Sequence, residues 1–286
     1  MKNPLRLTAN LSIILAITLF LSSCGKDALT PTIDTNDLKV FQNDETACVD
    51  IELYVYLEGA YTTQRSEMTT NLNTLGLLPG QTLKVLGTPT PDGQPYNNTP
   101  WNYAGKEGDN WTDDDYTGNE TDWILVSFRT GEAKNTEVGA AAALVNKDGS
   151  VTFVEDNCVL STDVAAAVYI VVEHRNHMGI MTSDAVNITD GKLSYDFRVR
   201  DSYRNGTEAG VGQKEIAPGV WAMFAGDADQ TDAVSYDING GDNIWPQYNG
   251  AFGIYLTADL NLDGEVNGAD KHIWMANNGF SSRVPK

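Results

Sequence analysis

Asp50-Ile51-Glu52-Leu53-Tyr54-Val55-Tyr56-Leu57 alternates apolar residues with polar or aromatic ones. A period of two is the pattern of a half-buried β-strand. Glu58-Gly59-Ala60-Tyr61 breaks it, and residues 68–77 read as a short helix or an irregular cover. Further strand signals lie at 123–128, 138–145, 151–154, 165–173, 185–188 and 193–199. Between them stand the turn signals Lys147-Asp148-Gly149, Asn176-His177-Met178-Gly179 and Asp190-Gly191. No strand–helix–strand rhythm appears. Short strands punctuated in this way predict a mainly β fold, an antiparallel β-sandwich over 47–200. Residues 201–218 are polar and contain Gly, and read as a linker.

The last segment, 219–286, has a different character. Asp259-Leu260-Asn261-Leu262-Asp263-Gly264-Glu265-Val266-Asn267-Gly268-Ala269-Asp270 carries oxygen-bearing side chains at loop positions 1, 3, 5, 9 and 12, with Gly at position 6. A hard cation such as Ca²⁺ needs this spacing. Asp259, Asn261 and Asp263 would turn inward, Glu265 would offer its backbone carbonyl, and Asn267 and Asp270 would complete the cage. The competing reading is a solvated Asp/Asn/Gly turn. Residues 269–277 then read as a short helix ended by Asn277-Asn278-Gly279.

With Asn at position 9 and Asp at position 12, the loop resembles the type I dockerin repeat, an EF-hand-like calcium loop. Dockerin-like modules carry two such loops. Upstream, Asp227-Ala-Asp229-Gln-Thr231-Asp232 fills the early positions of a second one, with Thr at position 5 and Asp at position 6. The liganding candidates there are Asp227, Asp229 and Thr231, with Asp242 closing the loop and a short helix ended early by Pro246. The resemblance implies a small α-helical, calcium-binding module and a cohesin-like protein partner.

At the other end, Lys2 and Arg6 precede an apolar run over 11–21, too short for a comfortable membrane span. It ends in Leu21-Ser22-Ser23-Cys24, which resembles a bacterial lipobox. The resemblance implies a signal peptide over 1–23, lipidation of Cys24 and anchoring to the membrane. A tether follows over 24–46. Its opening Gly25-Lys26-Asp27 resembles the acidic surface-export signal of Bacteroidetes lipoproteins, which implies an outer-membrane address facing outward; the periplasmic face is the alternative. Removing Lys2 and Arg6 leaves 17 basic against 39 acidic residues, a net charge of −22. So acidic a chain disfavours nucleic acid and anionic headgroups as partners. With Cys24 lipidated, Cys48 and Cys158 remain as an even pair in an oxidising compartment. They form either a disulfide or two unpaired thiols.

The chain also resembles a recurring secreted module of Bacteroidetes. The matching motifs are Leu53-Tyr-Val-Tyr-Leu-Glu58-Gly59-Ala-Tyr61, Asp122-Trp123-Ile-Leu-Val126 with Arg129, His174-Arg175-Asn176-His177-Met178-Gly179, and Gly219-Val-Trp221. That resemblance implies display and a dockerin-like tail, and implies no reaction.

His174 and His177 are the most tempting chemical pair, with Glu173 adjacent. On a strand leading into a turn, however, residues three apart point to opposite faces, and no further ligand stands at metal spacing. They read as turn histidines that cap backbone carbonyls, and His272 reads as exposed on the final helix. The sequence contains no Gly-x-Ser-x-Gly, His-Glu-x-x-His or phosphate-cradling Gly loop. The chain is therefore read as non-enzymatic.

A Gly-, Pro- and Asn-rich loop over 87–119 holds Tyr96, Trp101, Tyr103, Trp111 and Tyr116. These rings either form a platform for sugars or pack the loop onto the sandwich. Three functions follow as expectations: adhesion or protein assembly at the cell surface, glycan binding in a polysaccharide-utilisation system, or an accessory role docked to a hydrolase. Protease applied to intact cells should remove the protein if it is displayed; complete protection would exclude surface display.

Overall fold

The computed structural model describes residues 47–155, 158–199, 202–204, 212–233 and 244–286. The signal peptide, Cys24, the tether, most of 201–211 and Asp242 lie outside the described residues. The chain is mainly β, with antiparallel sheets. In order the elements are β1 (Asp50–Tyr54), β2 (Tyr61–Thr62), β3 (Glu67–Met68), α1 (Asn71–Leu75), β4 (Thr82–Leu83), β5 (Thr88–Pro89), β6 (Glu120–Arg129) and β7 (Glu137–Asn146). Then come β8 (Val151–Phe153), β9 (Ala167–Glu173), β10 (Ile180–Met181), β11 (Val186–Asn187), β12 (Lys192–Asp196), β13 (Lys214–Ala217), β14 (Val220–Ala222), α2 (Ile244–Tyr248) and α3 (Gly268–Ala276).

A six-stranded antiparallel sheet in the order β10-β9-β6-β7-β8, with β11 also on β9, forms the frame. All ten residues of β6 are buried, polar ones included. Such a strand is covered on both faces. Trp123 lies under the loop expected over 87–119: a Cβ on Gly108 would stand 2.9 Å from its ring, and Trp111 stacks on it at 5.5 Å. Glu120, at the start of β6, is satisfied by Thr117, Gly118 and Asn73.

One pairing departs from the antiparallel expectation. β1 runs parallel to β12, Asp50 opposite Lys192 through Tyr54 opposite Asp196. The two strands are remote in sequence, so no hairpin turn dictates their direction. Cys48 and Cys158 form a disulfide with Cα atoms 5.3 Å apart, within the ordinary bridging range.

The expected boundary between a sandwich and a separate tail does not appear. The described residues belong to one compact unit. Within the expected linker, β13 pairs with β14. Beyond it, Met223 N–H donates to Tyr56 O and Glu58 N–H donates to Met223 O. Two neighbouring apolar clusters result. The larger holds β1, β6, β7 and β9 and also takes Ala222, Met223 and Leu262 from the C-terminal segment. The smaller gathers Met178, Phe224, Ala228, Leu260 and Trp274. The aromatic run after Gly219 serves both clusters, Ala222 and Met223 entering the larger and Phe224 the smaller. Pro246 does not end α2 either. It sits in the first turn, where its missing N–H has no helical partner to lose.

The tightest contact between these parts is at Gly59. A Cβ there would stand 1.8 Å from Leu260 O. Backbone cannot yield as a side-chain tip can, so Gly59→Ala should force the two segments apart. We expect a loss of about 1–3 kcal/mol, an overpacking penalty, read as a lower denaturant midpoint. An unchanged midpoint would show that this approach is not tight.

Candidate metal centre

The C-terminal loop and its upstream counterpart share a backbone. Asp259 Oδ1 accepts the N–H of Asp263 at 3.1 Å, and Oδ2 that of Gly264 at 2.9 Å. Asp227 does the same four and five residues on, from Thr231 at 2.8 Å and Asp232 at 3.0 Å. Position 4 is left-handed in both loops, Leu262 at φ 57° and Gln230 at φ 62°. So is position 6, Gly264 at φ 86° and Asp232 at φ 60°. The two acidic stretches thus share a main-chain path over loop positions 1–6, while the rest of the first loop, with Asp242, lies outside the described residues.

Local chemistry explains the second loop. Its early acids each accept backbone N–H groups, which curls the chain. Asn267 caps α3, its side chain accepting from Ala269 N–H at 2.8 Å while Asp270 reaches back to Asn267 N–H at 2.8 Å. This is a reciprocal capping box. Asp270 Oδ1 also accepts from Leu260 at 2.7 Å and Asn261 at 3.2 Å, pinning the loop start to the helix. Asn261 donates to Asp263 Oδ2 at 2.8 Å, and Asn267 to Glu265 Oε2 at 3.2 Å. Leu260 and Leu262 flank Asn261 and enter the smaller and larger clusters respectively. Burial of Leu262, roughly 2 kcal/mol, offsets the cost of its left-handed backbone, about 1–2 kcal/mol.

Asp259 and Asp270 are fully buried. Burial pushes Asp259 up to about 7 despite Arg175, with Asp270 and Asp263 adding repulsion. Burial also raises Asp270, against three backbone donors. A carboxyl raised in the fold contributes stability below its unfolded pKa and loses it as pH rises through the folded value. Near neutrality these acids therefore favour an added positive charge. Asp259, Asn261, Asp263, Asn267 and Asp270, with the carbonyl of Glu265, are an oxygen donor set suited to Ca²⁺. Among the described residues no group of three or more His, Cys, Asp or Glu is placed to hold a metal ion.

The path into this loop is held by a buried polar hub that sequence reasoning missed. His174 and His177 do not point apart: their rings meet edge-on at 4.7 Å, with Nδ1 atoms 3.0 Å apart. The acid absent from their sequence neighbourhood is Asp122 of β6, 3.2 Å from His174 Nε2 and 2.9 Å from Arg175 Nε. Tyr255 donates to the other oxygen of Asp122, and Arg175 stacks over its ring at 4.1 Å. Arg175 also donates to Leu256 O, and Asn176 donates to Thr257 O at 3.1 Å and Asp259 O at 2.7 Å.

The hydrogen bonds fix the tautomers. Gly59 N–H donates to His177 Nε2 at 3.2 Å, so His177 carries its proton on Nδ1 and gives it to Asn176 Oδ1 at 2.8 Å. His174 Nδ1 accepts from Asn176 N–H at 3.3 Å, so its Nε2–H faces Asp122. His177 thus accepts from a backbone N–H instead of capping a carbonyl as expected. His272 is exposed on α3, as read.

The aromatic loop does not form an open platform. Tyr96 and Tyr116 are buried and donate to Trp123 O and Pro79 O, each at 2.6 Å. Tyr103 donates to Glu107 at 2.6 Å. Trp101 meets Tyr96 edge-on at 4.9 Å, and Trp111 meets Tyr116 likewise at 5.2 Å. The rings pack the loop onto the core, the alternative named for them.

Burial holds His177 well below the ordinary histidine range, reinforced by His174 and Arg175. Burial lowers His174 too, outweighing Asp122. A histidine lowered in the fold keeps its contribution above its unfolded pKa, about 6.5, and loses it as pH falls below that. Each ring sets a limiting slope of about 1.4 kcal/mol per pH unit. Asp259 works in the opposite sense, so the His177→Gln variant should serve as reference. Between about pH 7.5 and pH 5, wild type should lose more stability than the variant in denaturant melts. Parallel profiles would mean that His177 is not held neutral. No protein-family model matches the chain, and no curated protein matches it, so the reading of this centre rests on its own geometry.

Proposed function

We propose that this chain is a lipid-anchored protein of the outer-membrane surface, in which a β-sandwich carries a calcium-stapled, dockerin-like C-terminus, and that it acts in adhesion or protein assembly without catalysing a reaction. The burial of Asp259 and Asp270 in one loop carries the reading. Two carboxylates withdrawn from water beside Asp263 are costly unless protonated or matched by a cation. Asp259, Asn261, Asp263, Glu265, Asn267 and Asp270 would hold Ca²⁺, which would supply the missing positive charge. Extracellular Ca²⁺ is abundant enough to fill even a weak site, of Kd about 10⁻⁴–10⁻³ M, so the ion acts as a constant staple and not as a switch.

The neighbourhood of the loop supports assembly. Gly253 N–H donates to Gly264 O at 2.9 Å, and Phe252 bridges to Glu265. Next to them lies a cleft of about 530 Å³ lined by Leu77, Leu83, Pro89, Pro91, Ile254 and Tyr255, among others. Of this lining Ile254 is exposed, and Phe252, Val85 and Leu86, within two residues of lining positions in the chain, are exposed as well. Exposed apolar groups at a cleft are what a protein partner would cover. The glycan-binding and hydrolase-accessory readings have no comparable observation behind them.

Calorimetric titration of the metal-free protein should give saturable Ca²⁺ binding with Kd between about 10⁻⁶ and 10⁻³ M, abolished in Asp263→Ala. Absence of binding, or binding indifferent to Asp263→Ala, would end the calcium reading.

A further inference from the structure

The two loops diverge at position 6. At Gly264 a Cβ would stand 2.5 Å from Leu75 Cδ1, and φ is 86°, so both space and backbone call for Gly. Asp232 takes a similar backbone, φ 60°, and keeps a side chain. Asp tolerates this region better than most residues, but it still costs free energy. The side chain has work there. Its Oδ1 accepts from Gly179 N–H at 3.1 Å, and its Oδ2 is paired with the Lys286 ammonium.

Residues 281–286 lie across the same place. Ser282 N–H donates to Asp232 O at 2.7 Å, and Ser282 Oγ to Gly179 O at 2.6 Å. Ala233 bridges to Ser281, and Arg129 Nη1 donates to Pro285 O at 2.8 Å. The strap therefore joins the first loop, the turn after β9 and the end of β6. Lys286 is also attracted by Glu173 at the end of β9 and, less strongly, by Asp227, the first residue of the loop, while Lys134 and Arg129 repel it. In the second loop, among the described residues, the hydrogen bonds to Asp259 and Asp270 come from backbone N–H groups, and the Arg175 guanidinium acts on Asp259 through space, whereas Lys286 is ion-paired to a residue of the first loop itself.

We infer that Lys286 is the cation of the first loop, so that a lysine strap closes this loop and the chain takes a single Ca²⁺, at the second. The count of one rests on the calcium reading above; the strap does not. The physical reason is charge. The first loop has Thr231 where the second has Asp263, and it already holds an ammonium at its turn. Affinity for Ca²⁺ follows the number of charged ligands and falls when a positive group is near.

Two measurements on the full chain test the proposal separately. In EDTA, amide exchange at Ser282 should accelerate about two- to fivefold in Lys286→Met and in Asp232→Asn, with no further gain in the double variant. Unchanged exchange, or additive effects, would overturn the strap. In calorimetry, wild type should bind one Ca²⁺, unaffected by Asp229→Ala and lost in Asp263→Ala. Two ions, one of them lost in Asp229→Ala, would overturn the inference. No ion at all would refute the calcium reading of the second loop and leave the strap to be judged by the exchange data.

Discussion

The carboxylate of Asp122 is buried on β6, the strand between β9 and β7 in the six-stranded sheet. Burial alone would raise its pKa, but Arg175 and His174 outweigh that and hold it down to about 2. It is therefore charged near neutral pH. Four donors converge on it: Trp123 N–H, Tyr255, His174 and Arg175. Removing one partner of such a pair leaves an uncompensated buried charge, a loss of about 3–5 kcal/mol. Arg175 Nη1 donates to the carbonyl of Leu256, and the Asn176 side-chain amide to those of Thr257 and Asp259. The segment leading into the acidic loop is thus attached to the central sheet by side-chain hydrogen bonds, where no strand pairing exists.

A second network repeats the arrangement on another side. Glu58, just past β1, accepts from Lys214, from Asn277 at 2.7 Å and from Ala225 N–H at 3.0 Å. Asn277 caps the end of α3 and donates to Ala225 O at 2.8 Å. α3 has only nine residues, too few to be stable alone. Its start is fixed by Asn267 and Asp270, its end by Asn277, and its middle by Trp274 in the smaller cluster. The acidic loop is accordingly gripped from both ends. Within that grip the backbone N–H groups of the loop itself turn onto the two buried carboxylates of Asp259 and Asp270.

Much of this was legible in the residues. The longer strands β1, β6, β7, β9 and β12, with β8 and β11, were found within a few residues, because alternation and turn chemistry are local; the two-residue strands β2, β3, β4, β5 and β10 and the β13–β14 pair, too short to alternate, were not. The helix after the loop was found within one residue, because Asn267, Asp270 and Asn277 are local capping signals. The repeat of the acidic loop was found from spacing, although Thr231 and Asp232 break the pattern. The hub was not found. Asp122 and His174 are far apart in the chain, and the rule that residues three apart on a strand diverge fails where the strand has already ended at Glu173. Only the motif order, with Asp122-Trp123 and His174-Arg175-Asn176-His177 both singled out, hinted at a shared task. The aromatic loop was ambiguous for a related reason: rings among amides look alike whether they face a sugar or a core.

By itself, then, the sequence determined what neighbours along the chain decide: the β character, the turns, the paired acidic loops, the capped helix and the even cysteine pair. Tertiary structure decided whatever depends on which remote segments meet. It set β1 parallel to β12, merged the expected tail with the sheet through Leu262 and Met223, and turned two unremarkable histidines into a neutral, buried pair. It also gave Asp232 to Lys286. The physical reason is that backbone conformation answers to local sterics and hydrogen bonding, whereas burial and charge pairing are set by the surfaces that long-range folding brings together.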